Sequence, residues 1–145
     1  MKYFLRGIGF LLWGMQLQAQ IFVAPTGNDD STGTHEQPYA TITKAHSVVQ
    51  AGDTVFVRGG VYSIGTTITL SKNGTDSQRI HLFAYAGERP VLDFSGMPVA
   101  DGNRGVRLRG WYWHIKGLDI KGAGDNGMLI DPGSYNIIEF CSFYE

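Results

Sequence analysis

Between Gly105 and Gly122 the sequence GVRLRGWYWHIKGLDIKG sets cations at alternate positions among aliphatic residues. Arg107 and Arg109 interleave with Val106 and Leu108, and Lys116 and Lys121 interleave with Ile115, Leu118 and Ile120. Successive side chains of a strand point to opposite faces, so the aliphatic set turns inward and Arg107, Arg109, Lys116 and Lys121 turn outward. Neighbouring strands lie about 4.8 Å apart, close enough to gather such cations into a patch able to hold a polyanion. These four are the candidate substrate-binding residues; the competing reading is an ordinary solvated face. Trp111, Tyr112 and Trp113 offer ring faces on which sugars stack, but alternation forbids all three from sharing one face, so at least one packs inside.

Other chemistry is harder to find. His35, His46, His81 and His114 have no ligand-like spacing, and the single cysteine, Cys141, adds none, so no zinc site is read. The stretch GNDDSTGT, ending at Thr34, is rich in oxygen donors, yet its spacing departs from a calcium-binding loop and an ordinary turn is expected. GAGDNGM, ending at Met128, is first of all a corner between strands. Twelve Lys and Arg against 13 Asp and Glu leave a net charge of −1, which gives no basic surplus for nucleic acid.

The elements that must position these residues are short. Ile42, Ala45 and Val49 fall on one face at helical spacing, which predicts an amphipathic helix of about three turns, opened near Pro38 and ended by Gly52. From Asp53 onward the chain is a series of alternating runs of four to six residues separated by turn residues, too closely spaced for helices between strands. Gly105, Val106 and Leu108 moved forward by 22 positions meet Gly127, Met128 and Ile130; Ile115, Leu118 and Ile120 moved by 23 meet Ile138, Cys141 and Phe143. A repeat of that length predicts a solenoid whose coils stack aliphatic columns, with Cys141 as a small inward hydrophobe; an antiparallel sandwich is the rival. The helix then serves as a cap over the first coil.

The first residues belong to another kind of signal. MKYFLRGIGFLLWGMQLQAQ has Lys2 and Arg6 before an apolar stretch from about Gly7 to Leu17, with small Ala19 following, as expected of an export signal over residues 1–19. Its removal leaves residues 20–145 with a formal charge of −3, a secreted protein (extracellular or periplasmic) with no membrane span. With one cysteine, such a chain is held by packing alone. Because the strand-like pattern continues to Tyr144 without a polar outer coil, residues 20–145 are expected to be the N-terminal part of a longer β-helix domain, incomplete at the C-terminus.

The segments IFVAPTGNDDSTGTHEQPYATITKAHSVVQAGDTVFVRGGVYS, GERPVLDFSG, RGVRLRGWYWHIKGLDIKGAGDNGM and NIIEFCSF together resemble the N-terminal part of the family 9 polysaccharide lyases. The resemblance implies an all-β fold, a right-handed parallel β-helix of about four coils with an N-terminal capping α-helix. Two departures stand out: Ala51 replaces a usual proline before Gly-Asp, and Phe140 replaces a frequent asparagine before Cys141. The implied chemistry is calcium-assisted β-elimination on polygalacturonate, in which a lysine removes the C5 proton and an aspartate cluster holds Ca2+. No segment here matches the motif carrying those residues, so no catalytic or metal residue is assigned and Ca2+ is expected only in the full-length parent. The implied partner is a polygalacturonate-like polysaccharide, and the complete protein is expected to be a monomer. An alginate or chondroitin lyase-like enzyme and a non-catalytic carbohydrate-binding adhesin remain alternatives, since fold alone does not fix function.

Overall fold

The computed structural model describes residues 17–145. Most of the segment read as an export signal, residues 1–16, lies outside the described residues. Among the described residues no helix is long and apolar enough to cross a membrane.

Among the described residues, twelve short strands and one helix follow in chain order: β1 (Gln20–Val23), α1 (Ile42–Val48), β2 (Thr54–Val57), β3 (Gly60–Ser63), β4 (Ile68–Leu70), β5 (Ile80–Ala84), β6 (Pro90–Asp93), β7 (Val106–Leu108), β8 (Trp113–Lys116), β9 (Asp119–Lys121), β10 (Met128–Ile130), β11 (Ile137–Glu139) and β12 (Ser142–Tyr144). They form three sheets: sheet I in the order β1-β2-β5-β8-β11, sheet II in the order β3-β6-β9-β12, and sheet III in the order β4-β7-β10. From β2 onward the chain visits I, II and III in turn, and every paired strand is parallel to its neighbour.

The register decides between solenoid and sandwich. Val106 lies beside Met128 and Leu108 beside Ile130 in adjacent parallel strands, and Ile115–Ile138 and Ile120–Phe143 pair in the same way. The offsets of 22 and 23 read from the sequence are therefore the last coil-to-coil steps. Earlier steps are longer: Thr54 meets His81 and Ile68 meets Val106, offsets of 27 and 38. The additional residues sit in the loops 71–79 and 94–105, outside the strands, so spacing drifts while register holds.

The inward positions build the core that the alternation foretells. Val55, Leu82 and Ile115 form one buried column, Leu70 and Leu108 another, and Leu92 and Ile120 a third. Full burial of such a side chain contributes about 1.5–3 kcal/mol, and here that burial requires the next coil. In the outermost strands the same columns are open: Ile130 is 46% and Phe143 48% exposed.

Helix α1 caps the opposite end through buried Ile42 and Ala45, packing over β1 and β4. Its start differs from the expectation at Pro38. Tyr39 is paired with the β1 backbone, its N–H donating to Phe22 O (2.9 Å) and its carbonyl accepting from Ala24 N (2.9 Å), so the chain is still extended there. Thr41 caps the helix instead, its Oγ1 accepting from Lys44 N at 3.0 Å. Asp29 fixes the entry by accepting from Ala40 N, Thr41 N and the Thr41 hydroxyl at 2.8–3.0 Å. The helix has seven residues, shorter than three turns, and ends at Val48. Gly52 has the left-handed backbone foreseen, at φ 93°, but serves the turn into β2, where its N–H meets Arg79 O (3.2 Å).

His46 ties this cap to the body. Its Nε2 accepts from the backbone N–H of Ser71 (3.0 Å) and Lys72 (3.3 Å), so the neutral ring carries its proton on Nδ1. Lys72 in turn donates to the helix-end carbonyls Ser47 O (2.7 Å) and Val49 O (2.8 Å), a favourable place for a cation. Burial, and then the charge of Lys72, hold the His46 pKa below its ordinary value. A depressed histidine pKa means that the unfolded chain binds the proton more tightly. The contribution is therefore present above the unfolded value near 6.5 and is lost as pH falls through it toward the folded value. His81 shifts in the same direction, through burial, His114 and Arg79. We expect acidification from about pH 7.5 to about pH 5.5 to lower the melting temperature and to reduce the protection factors of the Ser71 and Lys72 amides, each taken against the intrinsic exchange rate at that pH. His46→Gln, which keeps an acceptor without titrating, should make these protection factors independent of pH; pH-independent protection factors at these amides in the unsubstituted chain would refute the role.

Phe140 sits in the corner between β11 and β12 with φ 53°, where the preceding coil has Gly117 at φ 76°. A left-handed backbone costs most non-glycine residues about 1–2 kcal/mol, and asparagine tolerates it better. The frequent asparagine of the family thus fits the backbone of this corner. Phe140→Asn should stabilise the chain by about 0.5–1 kcal/mol, less any contact between the Lys116 ammonium and the Phe140 ring at 5.4 Å. A melting temperature unchanged or lowered by the substitution would contradict the strain assigned here.

Candidate functional site

Arg107 lies at the middle of β7 on sheet III, flanked in register by Thr69 and Leu129. Its Nη2 is 3.5 Å from Asp131 Oδ2, and its Nε is buried without a hydrogen-bond partner. Arg109 follows just beyond β7, exposed and without a carboxylate partner among the described residues. Arg104, in the loop that enters β7, adds a third guanidinium: its Nη2 is 3.1 Å from Asp125 and 3.7 Å from Asp101. Its carbonyl accepts from the Thr67 hydroxyl at 2.7 Å, which fixes the loop to the preceding coil. Sequence alternation could not have found Arg104, because it precedes the strand in which alternation begins.

The other two candidate cations are on different faces, so the four do not form one patch. Lys116 is on sheet I, where its Nζ lies 3.1 Å from Glu139 Oε1, the same oxygen that meets His114 Nε2 at 2.9 Å. Hydrogen bonds from Lys116 and then His114 hold the Glu139 carboxyl below its usual range. Lys121 is on sheet II, 3.4 Å from Asp93 of the preceding coil. Alternation assigns inward or outward, but a solenoid with three sheets has three outward faces. The Gly117-Leu118 corner carries the chain from sheet I to sheet II between Lys116 and Lys121. What the structure brings together is Arg107 and Arg109, with Arg104 in the adjoining loop.

Nearby carboxylates do not converge on an open cation site. Among the described residues no group of three or more His, Cys, Asp or Glu side chains is placed to hold a metal ion. Asp125 and Asp131 each face an arginine instead, an arrangement that suits ion pairing better than metal ligation. In the acidic turn before α1, the Asp29 carboxylate is occupied by the helix entrance and Asn28 Oδ1 accepts from Asp30 N at 2.9 Å, so this turn is structural.

At least one of the three adjacent aromatics packs inside, as expected, but the left-handed corner at Tyr112 (φ 58°) rather than strand alternation parts Trp111 from Trp113. Trp113 is buried at 1% exposure, with its Nε1 donating to Lys72 O at 2.7 Å, whereas Trp111 is 45% exposed. Tyr112 lies between them at the corner, with its ring stacked on Tyr135. Cys141 is partly buried against the core, and burial raises its pKa, as suits an unreactive thiol in an inward column.

With this geometry in place, comparison with known proteins gives a consistent kinship. The family model described as the Pel9A-like, right-handed β-helix region matches residues 21–145. Pectate lyase L of Paenibacillus polymyxa is 44% identical over 121 residues, 82% of this chain and 26% of its own length. Pectate lyase L of Thermoclostridium stercorarium is 36% identical over 129 residues, 86% of this chain and 10% of its own length. The crystal structure of pectate lyase Pel9A superposes with a TM-score of 0.77 at 29% identity, covering 86% of this chain and 33% of that one. The chain thus spans a third or less of the length of each of these relatives. Its three parallel sheets, the register of its coils and the match over residues 21–145 lead to one conclusion: the chain belongs to the Pel9A-like family of right-handed parallel β-helices, a pectate lyase-like group.

Proposed function

We propose that this chain is the N-terminal part of a secreted polysaccharide lyase that cleaves pectin-like uronans by calcium-assisted β-elimination. The observation that carries the reading is the family match across residues 21–145, whose named relatives are pectate lyases. Export is supported by Lys2 and Arg6 ahead of the apolar stretch to Leu17. The residues of this chain contribute binding. Arg107 and Arg109, outward on one face, are suited to the carboxylates of a uronan, since a guanidinium offers paired N–H donors to a planar carboxylate. Lys116 and Lys121 stand apart from that role on other faces, each beside an acidic residue.

Calcium and the base that removes the C5 proton belong, on this reading, to parts of the whole protein other than these residues. The carboxylates nearest Arg107 are engaged by arginines, which suits substrate docking and leaves the bond-breaking step elsewhere. Bound calcium would supply charge stabilisation for the substrate carboxylate.

Two outcomes test this. The full-length parent should release unsaturated uronides from polygalacturonate, with activity lost on chelation and restored by calcium, whereas residues 20–145 alone should show no turnover. Absence of unsaturated products from the parent would end the lyase reading. In the parent, Arg107→Ala with Arg109→Ala should weaken polygalacturonate binding by about three- to tenfold, with a smaller effect at high salt. Equal affinity in the variant and the unsubstituted parent would remove these arginines from the site.

A further inference from the structure

The corner between sheets III and I carries a second group of exposed aromatics, set apart from the arginine face and from the core. Tyr112 precedes β8 and Tyr135 occupies the corresponding corner before β11. Their rings are parallel to within 9°, with centroids 4.8 Å apart. Trp111 meets Tyr135 edge-on at 6.4 Å and 67°. Arg79, from the loop that enters β5, lays its guanidinium 5.4 Å from the Tyr112 ring centroid and donates from Nη1 to the Tyr135 carbonyl. No carboxylate among the described residues pairs with Arg79, so its positive charge is uncompensated at the aromatic step. Trp111 is 45% exposed, so its ring spends much of its apolar surface on solvent.

The backbone makes the arrangement more pointed. Both tyrosines have φ 58°, a left-handed conformation that is uncommon for non-glycine residues and costs about 1–2 kcal/mol each. Glycine would fill either corner without that strain. Trp113, next to Tyr112, is the side chain that fills the interior here, at 1% exposure, so the core does not call for a left-handed tyrosine before it. Strain of this kind persists where the surrounding structure holds it, and it points toward function.

We infer that Trp111, Tyr112 and Tyr135, with Arg79, form an ancillary stacking site for a uronan chain outside the arginine face. The inference rests on the proposed uronan specificity but concerns a different surface. A pyranose ring presents an apolar C–H face to an aromatic plane and hydroxyls at its edge, which matches exposed rings with polar tips. The uronate carboxylate matches the free guanidinium of Arg79, and the pairing separates a uronan from a neutral polymer. The action of this site is to retain polymer near the coils, with no bond made or broken.

The test uses the full chain with polygalacturonate and a neutral galactan as probes. In the unsubstituted chain, bound polygalacturonate should perturb the fluorescence of exposed Trp111, and a polymer that binds without changing it overturns the inference. Trp111→Ala with Tyr135→Ala should lower polygalacturonate affinity about tenfold while the circular dichroism and melting temperature stay near those of the parent chain. Should that double substitution destabilise the chain, Trp111→Ala alone, at an exposed position, gives the same reading. Arg79→Gln should weaken binding of polygalacturonate and leave any galactan binding unchanged. Loss of affinity in the Arg107 and Arg109 variants with full affinity in the aromatic variants defeats the stacking site and leaves the proposed function intact. Binding of galactan in preference to polygalacturonate, or capture of neither polymer, defeats the stacking site, whereas the lyase reading stands or falls separately on unsaturated products from the full-length parent.

Discussion

Parallel pairing between successive coils is the constraint on which this molecule depends. A strand of three to five residues cannot satisfy its own backbone polar groups, and each coil presents aliphatic side chains that its own three short strands cannot cover. Both needs are met by the same neighbour. When Leu82 lies between Val55 and Ile115, hydrogen bonding and burial are achieved in one register, and a slip of one residue would turn that column outward. Covering the two ends is then a separate problem. At the first end, α1 packs over β1 and β4, while the Tyr62 hydroxyl reaches back to Val23 O (3.1 Å) and Arg58 O (2.8 Å). At the other end, Ile130, Ile137 and Phe143 are exposed on the last strand of each sheet.

The outer faces follow a second rule. Most charged side chains there tie one coil to the next: Lys121 meets Asp93, Lys116 and His114 meet Glu139, and Arg58 meets Glu88 at 2.8 Å. Arg89 brackets Asp119 with two guanidinium nitrogens and also reaches Ser142 Oγ at 2.9 Å, joining the coils of β6, β9 and β12 around a carboxylate that is only 8% exposed. Such pairs are modest individually, but in a solenoid they align with the direction in which the fold must hold together. A cation held this way, Arg107 beside Asp131 included, has its charge partly compensated. Arg109 and Arg79 escape the pattern, with no carboxylate partner among the described residues.

The division between what the sequence reveals and what it conceals has physical causes. Alternation correctly separates Leu108, Ile115 and Ile120 as inward from Arg107 and Lys116 as outward, because it reflects the local pleat. It cannot tell which sheet an outward residue joins. That depends on corners such as Gly117-Leu118, and it is why Lys116 and Lys121 part company with the arginines. The 22- and 23-residue offsets are visible only where the corners are short; loops 71–79 and 94–105 hide the same stacking in earlier coils. Pro38 suggests a helix start from composition, whereas the real cap depends on Thr41 and on Asp29 twelve residues before it. Tyr135 was findable: it stands 23 positions after Tyr112, the offset already visible in Ile115 and Ile138. Arg79 was not, since no local pattern brings a loop before β5 to the corner before β11.

The proposed function implies a scaffold that divides binding from chemistry. In a coil-by-coil fold, each outer face is renewed with every turn, and a change in one coil's corner leaves the register of the others in place. A polysaccharide is itself a repeating polymer, so subsites spread along a stack of coils can meet successive sugars without any single coil containing all of them. The coils described here have guanidinium groups and exposed rings but no convergent acidic cluster among the described residues. On the proposed reading they would hold a charged, ring-bearing chain through contacts that are individually weak, and each contact would gain from others on the same rigid stack because the polymer is already near.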